Sequence, residues 1–385
     1  MNYIGIDIHK RYSVCATQDE QGRKLRGARI EGNSASAFAQ YLASFEEPCK
    51  VAIEACWNWG TIYDRLLPLP QVEEVVVAHP LKTRLIGEAQ IKSDKIDAQA
   101  LSTLLRGNFI ARVHVPPKAV RQRKDVLRQR LYFARLRTAI RNRIHALLDR
   151  QEKLELPQCS DLFGVKGRGH LRRLELPEPD GTLLREDLAL LELLNGQIKE
   201  QEKRIAAENV RDEKTELVQS VPGLGVILAA VIASEIDEVI RFADTEHLCA
   251  YAGLVPTTHG SGGHIYHGKL LWSANKWLRW AFVEGAWVAV GCSGYFGAIY
   301  KHHRARGKKA NTAITIVARR MCQIVWHLLQ EKRPYVANPA TLPTNRVPKT
   351  GATRASQKLP RPLRLHIDGP HQHGRVLGQN GGPGI

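Results

Sequence analysis

Asp7 in YIGIDIHK, Glu54 in VAIEACW, and Asp94 with Asp97 in KSDKIDAQA are the residues best placed to do chemistry in this chain. Asp7 and Glu54 each close a short apolar run, Tyr3–Ile6 and Val51–Ile53, that reads as a buried strand. Asp94 and Asp97 stand three apart in a segment with helical character, so both carboxylates face the same way. Two strand-end acids and a helical pair make an oxygen cage suited to Mg²⁺, which takes carboxylate and phosphate oxygens. Paired ions about 4 Å apart clamp the attacking and leaving oxygens of a phosphodiester. Any one of these acids alone reads as a solvated loop or helix-cap residue. The order of the four and their settings together point to metal-dependent nuclease-type chemistry.

The elements that must carry them form an α/β pattern. Tyr3–Ile8, Ser13–Thr17 and Lys24–Ile30 read as three early strands, and Ala35–Phe45 as a helix. Lys50–Ile53 and Val75–Ala78 are β-rich runs separated by a helical stretch over Thr61–Leu67. Three strands followed by βαβ are compatible with a ribonuclease-H-like α/β sheet covered by helices, assigned to residues 1–112. Pro116-Pro117 breaks the chain, because neither proline donates a backbone hydrogen bond.

A mainly α region follows. Lys118–Arg150 reads as one long helix with eleven Lys or Arg against Asp125 and Asp149. Leu127, Leu131, Ile140, Ile144 and Leu147 supply its apolar stripe. A charged helix face is usually only solvated, but charge of nearly one sign favours a phosphate-tracking role. Leu183–Ala207 carries a heptad-like seam at Leu191, Leu194, Ile198 and Ile205, so it pairs with the basic helix or with a copy from another subunit. The intervening Leu156–Gly181 reads as irregular, and this hairpin region is assigned to residues 113–212. Residues 213–333 form a helical C-terminal domain. Its Pro222-Gly-Leu-Gly225 turn, between two apolar helices, is either a phosphate-binding helix-hairpin-helix or a tight helical turn. Residues 334–385 hold eight prolines, seven glycines and the single acid Asp368, a composition that predicts a disordered basic tail.

Net charge is +18 over 385 residues, from 56 Lys+Arg against 38 Asp+Glu, which implies a polyanionic partner, most simply nucleic acid. No apolar run approaches 18 residues and the first residues lack a signal-peptide h-region, so a cytoplasmic protein with no membrane partner is expected. Seven scattered cysteines without a CxxC pair predict reduced thiols and no structural zinc site.

Ser261 lies in His-Gly-Ser-Gly-Gly-His, read as a flexible loop between two helices. Its flanking glycines let a backbone approach a phosphate closely. A serine hydroxyl is a weak nucleophile without an activating base or metal, and on its own the stretch reads as an ordinary Gly-Ser turn. His259, His264 and His267 nearby lack the Cys or acid partners of a metal site.

Taken together, YIGIDIHK, VAIEA, KTRLIGEAQIKSDKIDAQALSTLLR, SVPGLGVILAAVIASEI and FADTEHLCAYAGLVPTTHGSGG resemble the DEDD transposases of bacterial insertion sequences, also described as bridge-RNA-guided recombinases. The resemblance covers about residues 2–330. It implies a RuvC-like domain whose Mg²⁺-binding acids fall on Asp7, Glu54, Asp94 and Asp97, and a C-terminal domain whose nucleophile falls on Ser261. It further implies a phosphoserine intermediate, donor and target DNA, a structured guide RNA, and a homo-oligomer (dimer or tetramer). The chain departs from the family pattern at Cys56-Trp57-Asn58 and at Leu271–Asn275, outside those five positions. Two other readings stand beside it: a metal-dependent RuvC-like nuclease or junction resolvase without a serine nucleophile, and a basic nucleic-acid-binding scaffold.

Overall fold

Alternation of side chains decides the first unit. In β1 (Asn2–Ile8), Ile4 and Ile6 point to one face of the sheet and Tyr3, Gly5 and Asp7 to the other. The same period holds in β2 (Tyr12–Gln18) and β4 (Cys49–Glu54), while β3 (Lys24–Glu31) and β5 (Val72–Ala78) close the two edges. The order is β3-β2-β1-β4-β5, antiparallel through the first three strands and parallel through the last two. One face packs Ile4, Ile6, Val51 and Ile53 against Phe38, Tyr41 and Leu42 of α1 (Ala35–Leu42), and Ile62 and Leu66 of α2 (Trp59–Leu66). The sheet continues through α3 (Pro80–Ile86) to α4 (Asp94–Arg106), which covers the opposite face.

The structure, a computed structural model, describes residues 1–86, 93–151, 157–209, 212–261, 264–271 and 273–337. Two compact units meet in sequence at Pro117. The segment assigned to the tail lies almost wholly outside the described residues.

The second unit begins with α5 (Lys118–Leu148), which pairs antiparallel with α7 (Asp180–Asn209) through Arg130–Glu202, Arg143–Asp187 and Arg150–Asp180. Leu191, Leu194, Ile198 and Ile205 are all buried, so the heptad-like seam meets α5 of the same chain. The segment expected to be irregular contains a helix, α6 (Val165–Arg173). It has two glycines and four basic residues and keeps only a small buried edge, Leu171, which hides it from periodicity. Gly167 is what seats it: a β-carbon there would fall 2.0 Å from the Leu162 carbonyl oxygen.

α8 (Glu213–Gln219), α9 (Val226–Ile236), α10 (Thr245–Tyr251), α11 (Lys276–Cys292), α12 (Gly294–Ala305) and α13 (Ala310–Glu331) share one core. α9 is apolar apart from Ser234 and Glu235 and is buried from Ala229 to Ile236, as a central helix must be. In the Pro222–Gly225 turn, Gly223 has φ +90° and presses on α11, where a β-carbon would lie 2.3 Å from the Gly285 oxygen. This packing accounts for that glycine without any phosphate, as a tight turn docked on a helix.

The segment around Ser261, expected to be a flexible loop, is a hairpin. β6 (Pro256–Ser261) pairs antiparallel with β7 (His264–Leu270), and Ser261 is opposite His264. Its glycine and histidine content masks the alternation. Among the described residues all seven cysteines are free, and no single helix is long and apolar enough to cross a membrane.

Candidate metal centre and the serine hairpin

Three features of the first unit bring the acids together. β1 and β4 run parallel with Ile6 opposite Ile53, so the next residues, Asp7 and Glu54, end neighbouring strands. Both continue the alternation onto the face that α4 covers. Helix α4 then starts at that end of the sheet, with Ser93 capping it by accepting a bond from Ile96 N at 3.3 Å, and puts Asp94 and Asp97 in its first turn. Carboxylates are favoured there by the positive end of the helix dipole, so the pair also serves the helix itself.

Gly5 allows this approach. A β-carbon at position 5 would lie 2.0 Å from the Ala98 oxygen and 2.5 Å from the Ser102 nitrogen, so α4 rests directly on the backbone of β1. Ala98, Leu101, Ser102 and Leu105 form the helix face that makes the contact.

Among the described residues, Asp7, His9 and Asp94 present ligand atoms within 4.8 Å of one another. His9 Nε2 lies 3.1 Å from Asp7 Oδ2 and 3.2 Å from Asp94 Oδ2. Tyr12 donates its hydroxyl to the same Asp94 oxygen at 3.1 Å, and its ring stacks on His9 at 4.4 Å. The Arg29 guanidinium covers the Tyr12 ring at 3.6 Å. Glu54 and Asp97 stand outside the 4.8 Å group, and Asp97 acts on Asp7 electrostatically. Burial pushes the Asp7 carboxyl above its ordinary 3.8; Asp94 and Asp97 push the same way, and His9 pulls against them. The Cys56 thiol is raised first by burial, with Glu54 and Asp7 adding to it. Asp94 and Asp97 thus repel the partly buried Asp7 carboxylate, a strain that a cation would relieve.

Residue type and order do not single out His9 and Tyr12. The available signal is spacing: His9 is two residues beyond Asp7, the interval that returns a strand side chain to the same face.

In the second unit, Ser261 ends β6, and the base of its hairpin is tied down. Asn275 N donates to the Tyr251 oxygen at 2.9 Å, and Leu271 N to the Val255 oxygen at 3.2 Å. The Asn275 side chain caps α11 by accepting from Trp277 N and Leu278 N, and donates to Glu235 at 2.9 Å. Glu235 is buried and paired with Lys124 at 3.3 Å and Arg128 at 2.9 Å. Burial alone would raise its carboxyl, but those two cations and the Asn275 and Arg128 bonds hold it below its ordinary 4.5. The side chains of His259, Ser261, His264 and His267, together with Gly262 and Gly263, lie outside the described residues.

The basic helix is less free than its composition suggests. Arg123, Lys124, Arg128, Arg130, Arg143 and Arg150 are spent on carboxylates. Among the described residues Arg135, Arg137 and Arg141 have no carboxylate partner. Arg135 lies over Trp277 and Arg141 over Phe163, while Arg137 is held below its ordinary value by burial and by Arg141 and Arg130. The cationic character is thereby concentrated in the middle of α5.

Two family models match the chain: an IS110-type DEDD transposase model over residues 4–151, and the transposase IS116/IS110/IS902 family over residues 215–301. A probable family 20 transposase of Pseudomonas aeruginosa is 26% identical over 87% of this chain and 98% of its own length. An insertion element IS116 protein of Streptomyces clavuligerus is 29% identical over 89% of the chain and 98% of its own. The transposase for insertion sequence element IS1111A of Coxiella burnetii is 24% identical over 86% and 90%. The first model spans all four acids and the second spans the serine hairpin, and with relatives matched along nearly their whole length the chain is similar from end to end to the IS110/IS116-type DEDD transposases, enzymes that cleave and rejoin DNA.

Proposed function

We propose that this transposase cuts and rejoins DNA strands through a phosphoserine intermediate on Ser261, with a divalent ion, Mg²⁺, held by Asp7, Glu54, Asp94 and Asp97, and with a structured RNA from the element pairing donor and target. The observation that carries the reading is the convergence of Asp7, Asp94 and His9 at the end of a sheet ordered β3-β2-β1-β4-β5. That order, with its directions, is the arrangement expected of a ribonuclease-H/RuvC-like domain. The donors fit a divalent ion: the Asp7 and Asp94 carboxylate oxygens are hard ligands that lie close together, and Asp94 and Asp97 repel Asp7. A divalent ion bound there supplies charge neutralisation to a scissile phosphate.

The chain's own residues do the rest. Ser261 Oγ attacks the phosphorus, forming the Ser–O–P bond as the 3′-oxygen leaves with a proton; a second 3′-hydroxyl then displaces the serine and restores the phosphodiester. The ester conserves the bond through the exchange, so rejoining needs no nucleotide hydrolysis. The hairpin ties at Asn275, Tyr251 and Leu271 fix the base of the strand that bears the serine. Arg135, Arg137 and Arg141 supply a phosphate-binding patch, and recombination of several strands calls for more than one subunit.

Purified full-length protein, element-end DNA, target DNA and RNA transcribed from the element's flank test the reading. Joined products that require the RNA, Mg²⁺ and Asp94 support it. Cleavage without joining, unaffected by Ser261→Ala, selects a metal-only nuclease instead.

A further inference from the structure

Four acids account for a hard oxygen site, and His9 stands among them as a fifth group. Strand alternation returns it to the face of Asp7, and its backbone N–H donates to the Tyr12 oxygen at 2.9 Å at the start of the turn into β2. Its ring is stacked on Tyr12 with 27° between the planes. Backbone tether and stack together fix the ring so that Nε2 reaches Asp7 Oδ2 and Asp94 Oδ2 almost equally, at 3.1 and 3.2 Å. Tyr12 holds the same Asp94 oxygen, which fixes the other side of the arrangement.

We infer that His9 Nε2 is a ligand to the divalent ion taken by Asp7 and Asp94, making the site a mixed nitrogen and oxygen centre that prefers Mn²⁺ to Mg²⁺. This rests on the proposed metal-binding role of the acids. Mg²⁺ is an oxygen-seeking ion, whereas imidazole nitrogen suits the transition metals, and affinity at such a site rises toward them. A histidine that merely bridges two carboxylates as their counter-ion contributes no nitrogen to a bound metal and gives no Mn²⁺ preference.

Mn²⁺ titrated into tag-free full-length protein, followed by pulsed electron paramagnetic resonance, separates these cases. The expected result is one Mn²⁺ whose spectrum carries the hyperfine coupling of a directly bound ¹⁴N, which changes to the ¹⁵N pattern when the protein is grown on ¹⁵N-histidine. His9→Gln should lose that coupling and bind Mn²⁺ roughly tenfold or more weakly, in line with losses seen on altering a metal's surroundings. The Mg²⁺ concentration needed to displace Mn²⁺ should fall in the same variant. Mn²⁺ that is lost in Asp7→Ala but never shows nitrogen coupling overturns the role of His9 and leaves the acids intact. Absence of Mn²⁺ binding, or binding indifferent to Asp7→Ala, overturns the metal reading itself and the inference with it. The isotope measurement uses the unaltered protein, so the conclusion does not depend on how His9→Gln folds.

Discussion

Gly5→Ala is the most economical perturbation of the acid cluster, because it changes no acid and touches only how α4 sits. The new β-carbon would fall 2.0 Å from the Ala98 oxygen, where ordinary contact begins at 3.4 Å, so the two must separate by about 1.4 Å. The obstructing atoms are the carbonyl of Ala98 and the amide of Ser102, and neither can rotate aside. Ala98→Gly therefore brings no rescue. The helix has to lift, carrying Asp94 away from His9 and Tyr12, whose contacts of 3.2 and 3.1 Å do not survive such a shift. Overpacking of this kind costs about 1–3 kcal/mol of stability, while a misplacement of about 1 Å at a reacting centre costs about 100-fold in rate. The assay is strand joining with purified protein, alongside Mn²⁺ affinity and a thermal melt. The expected outcome is a folded protein that melts a few degrees lower, joins about 100-fold more slowly and binds Mn²⁺ more weakly. Gly5→Ala with unchanged rate and metal affinity would refute the claim that this close approach positions Asp94.

Other consequences are open to test. Asp7→Ala should abolish joining while raising or preserving the melting temperature, since it removes a carboxyl that burial and its acidic neighbours disfavour, whereas Asp94→Ala should abolish joining and lose the Tyr12 bond and the helix-end charge with it; full joining by both would remove the acids from the site. Glu235→Ala should destabilise the second unit by about 3–5 kcal/mol, because Lys124 is then buried without a partner, as measured by denaturant unfolding. Glu235 is held below its ordinary 4.5, so its stabilising contribution is complete above that pH and is lost as pH falls through the lower folded value. Glu235→Gln should accordingly flatten the acid limb of the stability curve, and an identical limb would disprove the linkage. Replacing Arg135, Arg137 and Arg141 by Gln should lower the slope of log affinity for duplex DNA against log salt by about 0.9 for each phosphate that is no longer neutralised. Arg128→Gln, which removes an ion pair to Glu235, should lower stability and leave that slope nearly unchanged.

Legibility follows period and run length. β1, β2 and β4 are readable because Ile4, Ile6, Val51 and Ile53 pack on one face in alternation, and α5 and α7 because their leucine and isoleucine stripes repeat over many turns. α6 is not, since glycine and arginine fill it and a single leucine marks its buried side. The β6–β7 pair is hidden by His-Gly-Ser-Gly-Gly-His, a sequence with turn chemistry and no apolar alternation. The four acids stand out by residue type and order, yet the approach of Asp94 to Asp7 depends on Gly5, a residue without chemistry of its own. Spare charge is the poorest guide: Arg128 has the look of a phosphate ligand and is held by Glu235, a partner 107 residues away.

The central claim, phosphoserine chemistry dependent on a divalent ion, is tested most directly by trapping the intermediate. A nicked suicide substrate is incubated with full-length protein, guide RNA and Mg²⁺, then denatured, digested and analysed by mass spectrometry. A denaturant-stable protein–DNA adduct is expected on the peptide containing Ser261, absent in Ser261→Ala, in Asp94→Ala and without Mg²⁺. Joined products formed at the usual rate with no adduct, or an adduct on Ser273 or on a tyrosine, would contradict it.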